Sequence, residues 1–297
     1  MLLAVHPRSI NKSTLAVGIC VFLLSFALRV ADAETSPSAS THMIERAGHK
    51  IAFQVTPGHS PIIVLDAGGG LDSTYWNTLL PELAKRTGCK IITYDRAGFG
   101  RSDEVPGPWN VQSATDDLAN GLERLGATRN VILVSHSLAG EIATYLARRH
   151  PQWILGVVLV DANVPEVFTD SFIERSVALY APIIAATKAA PPSQSGRQLL
   201  ALSQSFRETS EAFHRVTWPA AVPAIVIVSE QTPLDAAEDA QWWRDAHQQF
   251  ANGSNNRKLV VADRSSHDVA HDRPDVIVHA VAQLLAGYKP AQPVQKY

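Results

Sequence analysis

"NVILVSHSLAGEIATYLARRH", residues 130 to 150, changes character in its middle. Its first half, Val131–Val134, is an unbroken aliphatic run, the pattern of a strand covered on both faces. Its second half, Leu138–Arg149, spaces apolar side chains at helical intervals. Ser137 stands at the junction, with the small residues Ser135 and Ala139 two positions to either side. A tight strand-to-helix turn lifts a serine hydroxyl clear of the sheet's C-terminal edge. It needs small neighbours because strand and helix approach closely there. The same turn leaves the amide of Leu138 at a helix N-terminus, where it can stabilise an anion. A serine at this point also suits a simple helix N-cap, so the rest of the chain has to decide.

The strand–helix alternation extends in both directions. Short Val- and Ile-rich runs recur at Ile62–Leu65, Lys90–Tyr94, Gly156–Val160, Ala224–Val228 and Lys258–Val261. Helical spacing appears near Thr74–Arg86, Ser113–Leu125, Trp242–Phe250 and Pro274–Leu285. This order predicts an α/β fold with a mostly parallel central sheet and helices on both faces. "MIERAGHKIAFQV", residues 43 to 55, reads as a hairpin turning at Ala47–Gly48. Residues 163–223 break the rhythm. They are Ala- and Ser-rich, helical in parts, and interrupted by "AAPPSQSG". So long a connection predicts a small helical cap inserted over one end of the sheet.

Composition narrows the classes. The 297 residues are 46% hydrophobic and 18% charged, enough chain for one large domain or two small ones. A net charge of -2 carries no basic stripe, so no nucleic-acid partner is expected. Two cysteines, Cys20 and Cys89, make neither a disulfide framework nor a zinc cluster. At the N-terminus Arg8 and Lys12 precede the apolar run Leu15–Leu28, and Ala31-Asp32-Ala33 follows. That is the layout of a signal peptide over residues 1–33, cut after Ala33. The run is short of the roughly 20 residues of a membrane span. The expected protein is secreted or periplasmic, and meets a membrane only if this segment is retained. Residues 34–42 read as a Ser/Thr/Pro linker, 43–287 as the main domain and 288–297 as a tail.

Four segments together resemble one family. "VSHSLAG", residues 134 to 140, looks like the nucleophile elbow of α/β-hydrolase fold enzymes. "LDAGGG" (65–70) occupies the place of that family's oxyanion loop, "YDRAGFGRSD" (94–103) its loop after the next strand, and "SSHDVAHDRPD" (265–275) its catalytic-histidine segment. They fall in the family's order, and the resemblance covers about residues 43 to 287. There are departures. Ser135 and Ala139 stand for the elbow glycines, and Asp66-Ala67 for the usual His-Gly. The resemblance implies a covalent acyl-enzyme on Ser137, with the Leu138 amide and that of Gly68 or Gly69 facing the oxyanion.

The two histidines of 265–275 also admit a metal reading. A helical zinc motif wants His-Glu-x-x-His on one continuous helix; here Asp268 holds the second position and Pro274 starts a new helix. The resemblance instead places the base about five residues before an Asp-Arg-Pro, which is His267, and leaves His271 a surface or supporting place. The acid is harder to assign. The family commonly takes it from the loop after the strand "AIVIV", where Thr232 stands at the expected position and Asp235 lies three residues on. Some members take it one strand earlier, which here is Asp161. Asp161 is the first choice, Asp235 the alternative, Glu230 a third. Asp95 and Arg96 are expected to pair or cap locally. Gly98 and Gly100 are expected to form turns, and Tyr75, Trp76 and Trp109 to belong to the core.

The expected activity is hydrolysis of an ester-type acyl bond in a small-molecule substrate through a Ser-His-Asp triad, with no metal or organic cofactor. Aminopeptidase-type and lactone hydrolysis share such a triad, and a non-catalytic binding protein could keep such a fold. Oligomeric state is not written in these patterns.

Overall fold

The computed structural model describes residues 39–288. The expected signal segment 1–33, residues 34–38 of the expected linker and residues 289–297 lie outside the described residues. Eight strands form one sheet: β1 (Ser40–Arg46), β2 (His49–Thr56), β3 (His59–Asp66), β4 (Cys89–Asp95), β5 (Val131–His136), β6 (Ile154–Val160), β7 (Ala224–Ser229) and β8 (Arg257–Ala262). Their order is β1-β2-β4-β3-β5-β6-β7-β8. β1 and β2 pair antiparallel through the turn at Ala47–Gly48, β2 runs antiparallel to β4, and every later pairing is parallel. The unbroken aliphatic runs are the central strands. Every residue of β5 and β7 is buried, because helices cover both faces.

The helices are α1 (Leu80–Thr87), α2 (Val111–Arg124), α3 (Ala139–Arg149), α4 (Asp170–Ala189), α5 (Gln194–His214), α6 (Ala237–Asn252), α7 (Val269–Asp272) and α8 (Pro274–Ala286). They bury two apolar layers. Phe53, Leu118, Ile142, Phe213 and Phe250 belong to one, and Ile63, Trp76, Leu83, Ile277 and Val281 to the other. Trp76 is fully buried and Tyr75 nearly so, as core side chains. Trp109 is half-buried and packs against the first layer.

Three boundaries differ from the sequence pattern. β1 starts at Ser40, so residues 40–42 of the expected linker are paired strand. The helix expected over Thr74–Arg86 divides into a single 3-10 turn, Ser73–Trp76, and α1. Asp72 caps the first piece, and Pro81, with no amide hydrogen to lose, sits in the opening turn of the second. α6 begins at Ala237, five residues before the expected Trp242, with Glu238 and Asp239 in its first turn favouring the helix dipole.

α4 and α5 form the inserted hairpin between β6 and β7, broken at Ala190–Ser193 by Pro191 and Pro192. α5 rests on the loop after β4. The Trp109 amide donates to the Ala201 carbonyl (3.0 Å), Gln194 Nε2 donates to the Gly98 carbonyl (2.9 Å), and Arg197 pairs with Glu104 (2.7 Å). Among the described residues no helix is long and apolar enough to cross a membrane.

Candidate active site

Ser137 occupies the turn from β5 to α3 with φ +53°, a left-handed conformation uncommon for a residue with a side chain. Neighbouring backbone holds it there. The Ser137 amide donates to the Val160 carbonyl (3.2 Å), and its own carbonyl accepts from the amides of Gly140 (3.0 Å) and Asn163 (2.8 Å). Ser135 and Ala139 are buried, as a tight elbow requires. The closest approach falls one residue later. A Cβ on Gly140 would lie 2.3 Å from the Asn163 carbonyl oxygen, so only glycine fits there.

His267 sits in the loop between β8 and α7. Its Nε2 is 3.0 Å from Ser137 Oγ, and its Nδ1 is 2.7 Å from Asp161 Oδ2. With Nδ1–H donating to the carboxylate, Nε2 is free to accept the serine proton. The loop is tied back to the elbow by His136, whose Nε2–H donates to the His267 carbonyl (3.0 Å). Burial and the neighbouring His267 lower the His136 pKa to about 3, so that imidazole is neutral.

Asp161 follows β6 and is fully buried. Oδ1 accepts from the Ser229 amide (3.1 Å) and from Trp243 Nε1–H (2.9 Å). Oδ2 accepts from His267 and from Ser229 Oγ (2.7 Å), which also lies 2.9 Å from the Gln231 carbonyl. The charged oxygen is the stronger acceptor for that single proton. Burial alone would raise the Asp161 pKa, but the His267 hydrogen bond and charge, with Ser229, hold it below the usual value.

The alternative acids are not brought to His267. Asp235 is exposed, and Glu230 is exposed and accepts from the Arg264 amide. β7 ends in Ser229, which turns its amide and hydroxyl onto Asp161. The following loop, where an acid was expected, hydrogen-bonds to itself and to its neighbours. Ser229 and Trp243 were not foreseen from sequence. A serine at a strand end and a tryptophan on a distant helix carry no pattern, and the chain alone does not say which carboxylate they serve.

β3 leads into Asp66, Ala67, Gly68 and Gly69. A Cβ on Gly68 would lie 2.7 Å from His136 Nδ1 and 3.1 Å from Ser137 Cβ; one on Gly69 would meet the Leu138 side chain at 3.5 Å. Among the described residues, the amides of Gly68, Gly69 and Leu138 donate to no backbone carbonyl. Asp95 is only partly local, accepting from the amide of Arg101 six residues on and from that of Ser73, 22 residues back, at 2.9 Å each. Arg96 does not bond locally. It reaches from the end of β4 to Asp66 (2.5 Å) and donates to the carbonyls of Ala67 and Gly68. The reason is that Asp66 is buried beside it and requires a counter-charge.

His271 lies on α7, exposed, with Nδ1 2.7 Å from Asp268 Oδ1. His267 precedes that helix, so the two histidines share no helical face. Among the described residues no group of three His, Cys, Asp or Glu side chains could hold a metal ion.

Residues 63–280 match a family model described as the alpha/beta hydrolase family. A relative from Bacillus subtilis, the uncharacterized protein YqjL, is 26% identical over 224 residues, which is 74% of this chain and 81% of that protein. The putative carbamate hydrolase RutD of Yersinia enterocolitica is 33% identical over 114 residues, 37% of this chain and 40% of that protein. Among solved structures, a bromoperoxidase from Bacillus anthracis aligns with TM-score 0.61 at 21% identity, over 84% of this chain and all of that one. A thermophilic esterase from Thermogutta terrifontis aligns with TM-score 0.60 at 20% identity, over 84% of this chain and 98% of that one. At such identities the structural likeness is one of fold.

Proposed function

The chain belongs to the alpha/beta hydrolase family, and within that class of hydrolases we propose a serine esterase that works through an acyl-enzyme. The reading is carried by one observation, the unbroken chain from Ser137 Oγ through His267 (3.0 Å) to Asp161 (2.7 Å). Ser137 Oγ passes its proton to His267 Nε2 and attacks the acyl carbon. The carbonyl oxygen takes up the electron pair and faces the amide of Leu138 and that of Gly68 or Gly69. As the tetrahedral centre collapses, the Nε2 proton goes to the leaving oxygen, and the acyl group stays on Ser137. Water then repeats the sequence, giving its proton to Nε2, and the acid leaves with Ser137 restored. Asp161 keeps its proton-free oxygen on Nδ1 throughout and steadies the imidazolium.

The ester-type substrate is the default for an oxygen leaving group at such a triad. Of the relatives' names, carbamate hydrolase and esterase fit acyl chemistry, bromoperoxidase does not speak to it, and none chooses a substrate. Export is proposed on residues 1–33, whose charged start, apolar run and Ala-x-Ala end suit a cleaved signal.

One experiment tests both. The protein recovered after expression is treated with a fluorophosphonate, and its intact mass is read beside a Ser137→Ala control. A chain starting at Glu34 that gains one phosphonyl group, with loss of fluoride, and a control that gains none, are the expected outcome. Screening then begins with short acyl esters. A folded protein that takes no adduct would sink the hydrolytic reading in favour of a binding protein that keeps the fold. A mass that includes residues 1–33 would sink export by cleavage.

A further inference from the structure

Asp66 stands where the resembled family carries histidine, and it is paired with an arginine that nothing in the triad uses. Both side chains are nearly inaccessible, Asp66 at 2% and Arg96 at 5% exposure. The second Asp66 oxygen accepts from the Tyr94 hydroxyl at 2.8 Å. A buried ion pair adds little net stability over apolar residues of similar volume, because desolvation offsets the attraction. What it can supply is fixed geometry, and here that geometry is directed at two carbonyls.

Arg96 Nη1 donates to the Ala67 carbonyl and Nη2 to the Gly68 carbonyl. In a planar trans peptide the C=O and N–H point in opposite directions. The Ala67 carbonyl shares its peptide with the Gly68 amide, and the Gly68 carbonyl shares its peptide with the Gly69 amide. Holding both carbonyls toward the guanidinium therefore turns both amides away from it. Gly68 abuts Ser137 and His136, and Gly69 abuts Leu138. Neither amide has a backbone acceptor among the described residues.

We propose that Arg96, anchored by Asp66, is the positioning residue of the oxyanion site, aiming the Gly68 and Gly69 amides at the position beside Ser137. This rests on the hydrolase reading above and answers the choice between two glycines that the sequence left open: one guanidinium presents both. The fork is essential. An ammonium group is a point charge with no planar pair of donors to span adjacent carbonyls.

The test uses the full chain with Arg96→Lys, which retains a charge for Asp66 and loses the fork. A short acyl ester is the substrate, and amide hydrogen exchange over residues 66–70 is the second readout. The expected result is a fall in kcat of about 100-fold or more, the loss typical of an oxyanion donor. KM stays within about threefold, since uniform binding is untouched. The acid limb of the kcat/KM profile, which reports the free-enzyme base, does not move, and exchange quickens at 66–70. An unchanged kcat overturns the proposal. So does a fall in kcat accompanied by a displaced acid limb, which would put the damage in the His267–Asp161 pair. If the lysine variant does not fold, Asp66→Asn decides. It leaves the guanidinium and loosens its anchor, and is expected to lower kcat about tenfold with the same KM and acid limb; no change overturns. If wild type neither turns over esters nor takes the fluorophosphonate, the hydrolase reading fails by itself. Exchange at 66–70 then judges Arg96: faster in the variant upholds its grip on the loop, unchanged overturns it.

Discussion

His267 bridges two ends that are built in opposite ways. The serine end is written in one stretch of sequence. β5, the turn and α3 are consecutive, and the φ of +53° at Ser137 is held by a bond to Gly140 within that stretch and by bonds to Val160 and Asn163, which flank the acid. The acid end is assembled from distant pieces. Asp161 follows β6, Ser229 ends β7, Trp243 lies on α6, and His267 is 106 residues beyond the acid. The serine end has one way to be right, whereas the acid end has several donors on one carboxylate. A single strained turn is brittle; a carboxylate with several donors is redundant.

The largest expected effect tests which carboxylate belongs to the acid end. In Asp161→Asn, the side-chain amide donates where the carboxylate accepted, and His267 is driven to the wrong tautomer. A fall in kcat of about 10⁴-fold is expected on the ester substrate, as for triads of this kind. Asp235→Asn, an exposed site, should leave kcat/KM within about twofold. The reverse ranking, measured by steady-state kinetics on the two folded variants, would mean that the loop after β7 supplies the acid in the working enzyme.

The same contrast explains what was legible in the sequence. The elbow could be read because every feature of it lies within a few residues: the aliphatic run, the small residues flanking Ser137, the amphipathic helix. The parallel sheet could be read because strands covered on both faces leave no alternation. His267 needed a spacing to Asp-Arg-Pro that resemblance supplied. The acid stayed divided between Asp161 and Asp235, since what selects Asp161 is a set of donors on other strands. Arg96 was expected to bond locally, because a chain written in one dimension does not show that β3 and β4 lie side by side. Glu141 carries no signal of its own in the sequence. A glutamate in the first turn of a helix is ordinary, and only the packing of Asn163 over it shows that it is buried.

Glu141 gives the next effect, and it marks a cost at the serine end. Like Asp161 it is almost wholly buried, yet it has one donor, Asn163 Nδ2 at 2.7 Å on Oε1, and Oε2 has no partner among the described residues. Burial raises its pKa from 4.5 to about 7. The folded chain therefore holds this proton to higher pH than the unfolded chain does. Between these values the folded state binds more protons, so stability falls as pH rises through the window. The full span is worth about 3 kcal/mol as an upper figure. Asp161 works in the opposite sense: its lowered pKa stabilises the fold at neutral pH, and the contribution is lost as pH falls through the folded value. Glu141→Gln should unfold at nearly the wild-type temperature at pH 5 and hold an increasing advantage toward pH 8. Melting curves that stay parallel across that range would show that Glu141 does not ionise in the window.

The smallest effect is the sharpest test of redundancy. Trp243→Phe keeps a buried ring near His267, now 6.4 Å between ring centroids, and removes only the Nε1–H donated to Asp161 Oδ1. Oδ1 retains the Ser229 amide, and both donors on Oδ2, the oxygen facing His267, are untouched. A single hydrogen bond to a charged group is worth about 1.5–3 kcal/mol, part of which the remaining donors recover. The expected result is about a tenfold loss in kcat at constant KM, far short of the Asp161→Asn loss, because the carboxylate keeps its charge and its place. If Trp243→Phe approached that larger loss, the donors on Asp161 would be acting as one unit in which no member is spare. The acid end would then be as brittle as the elbow, despite being drawn from three separate elements.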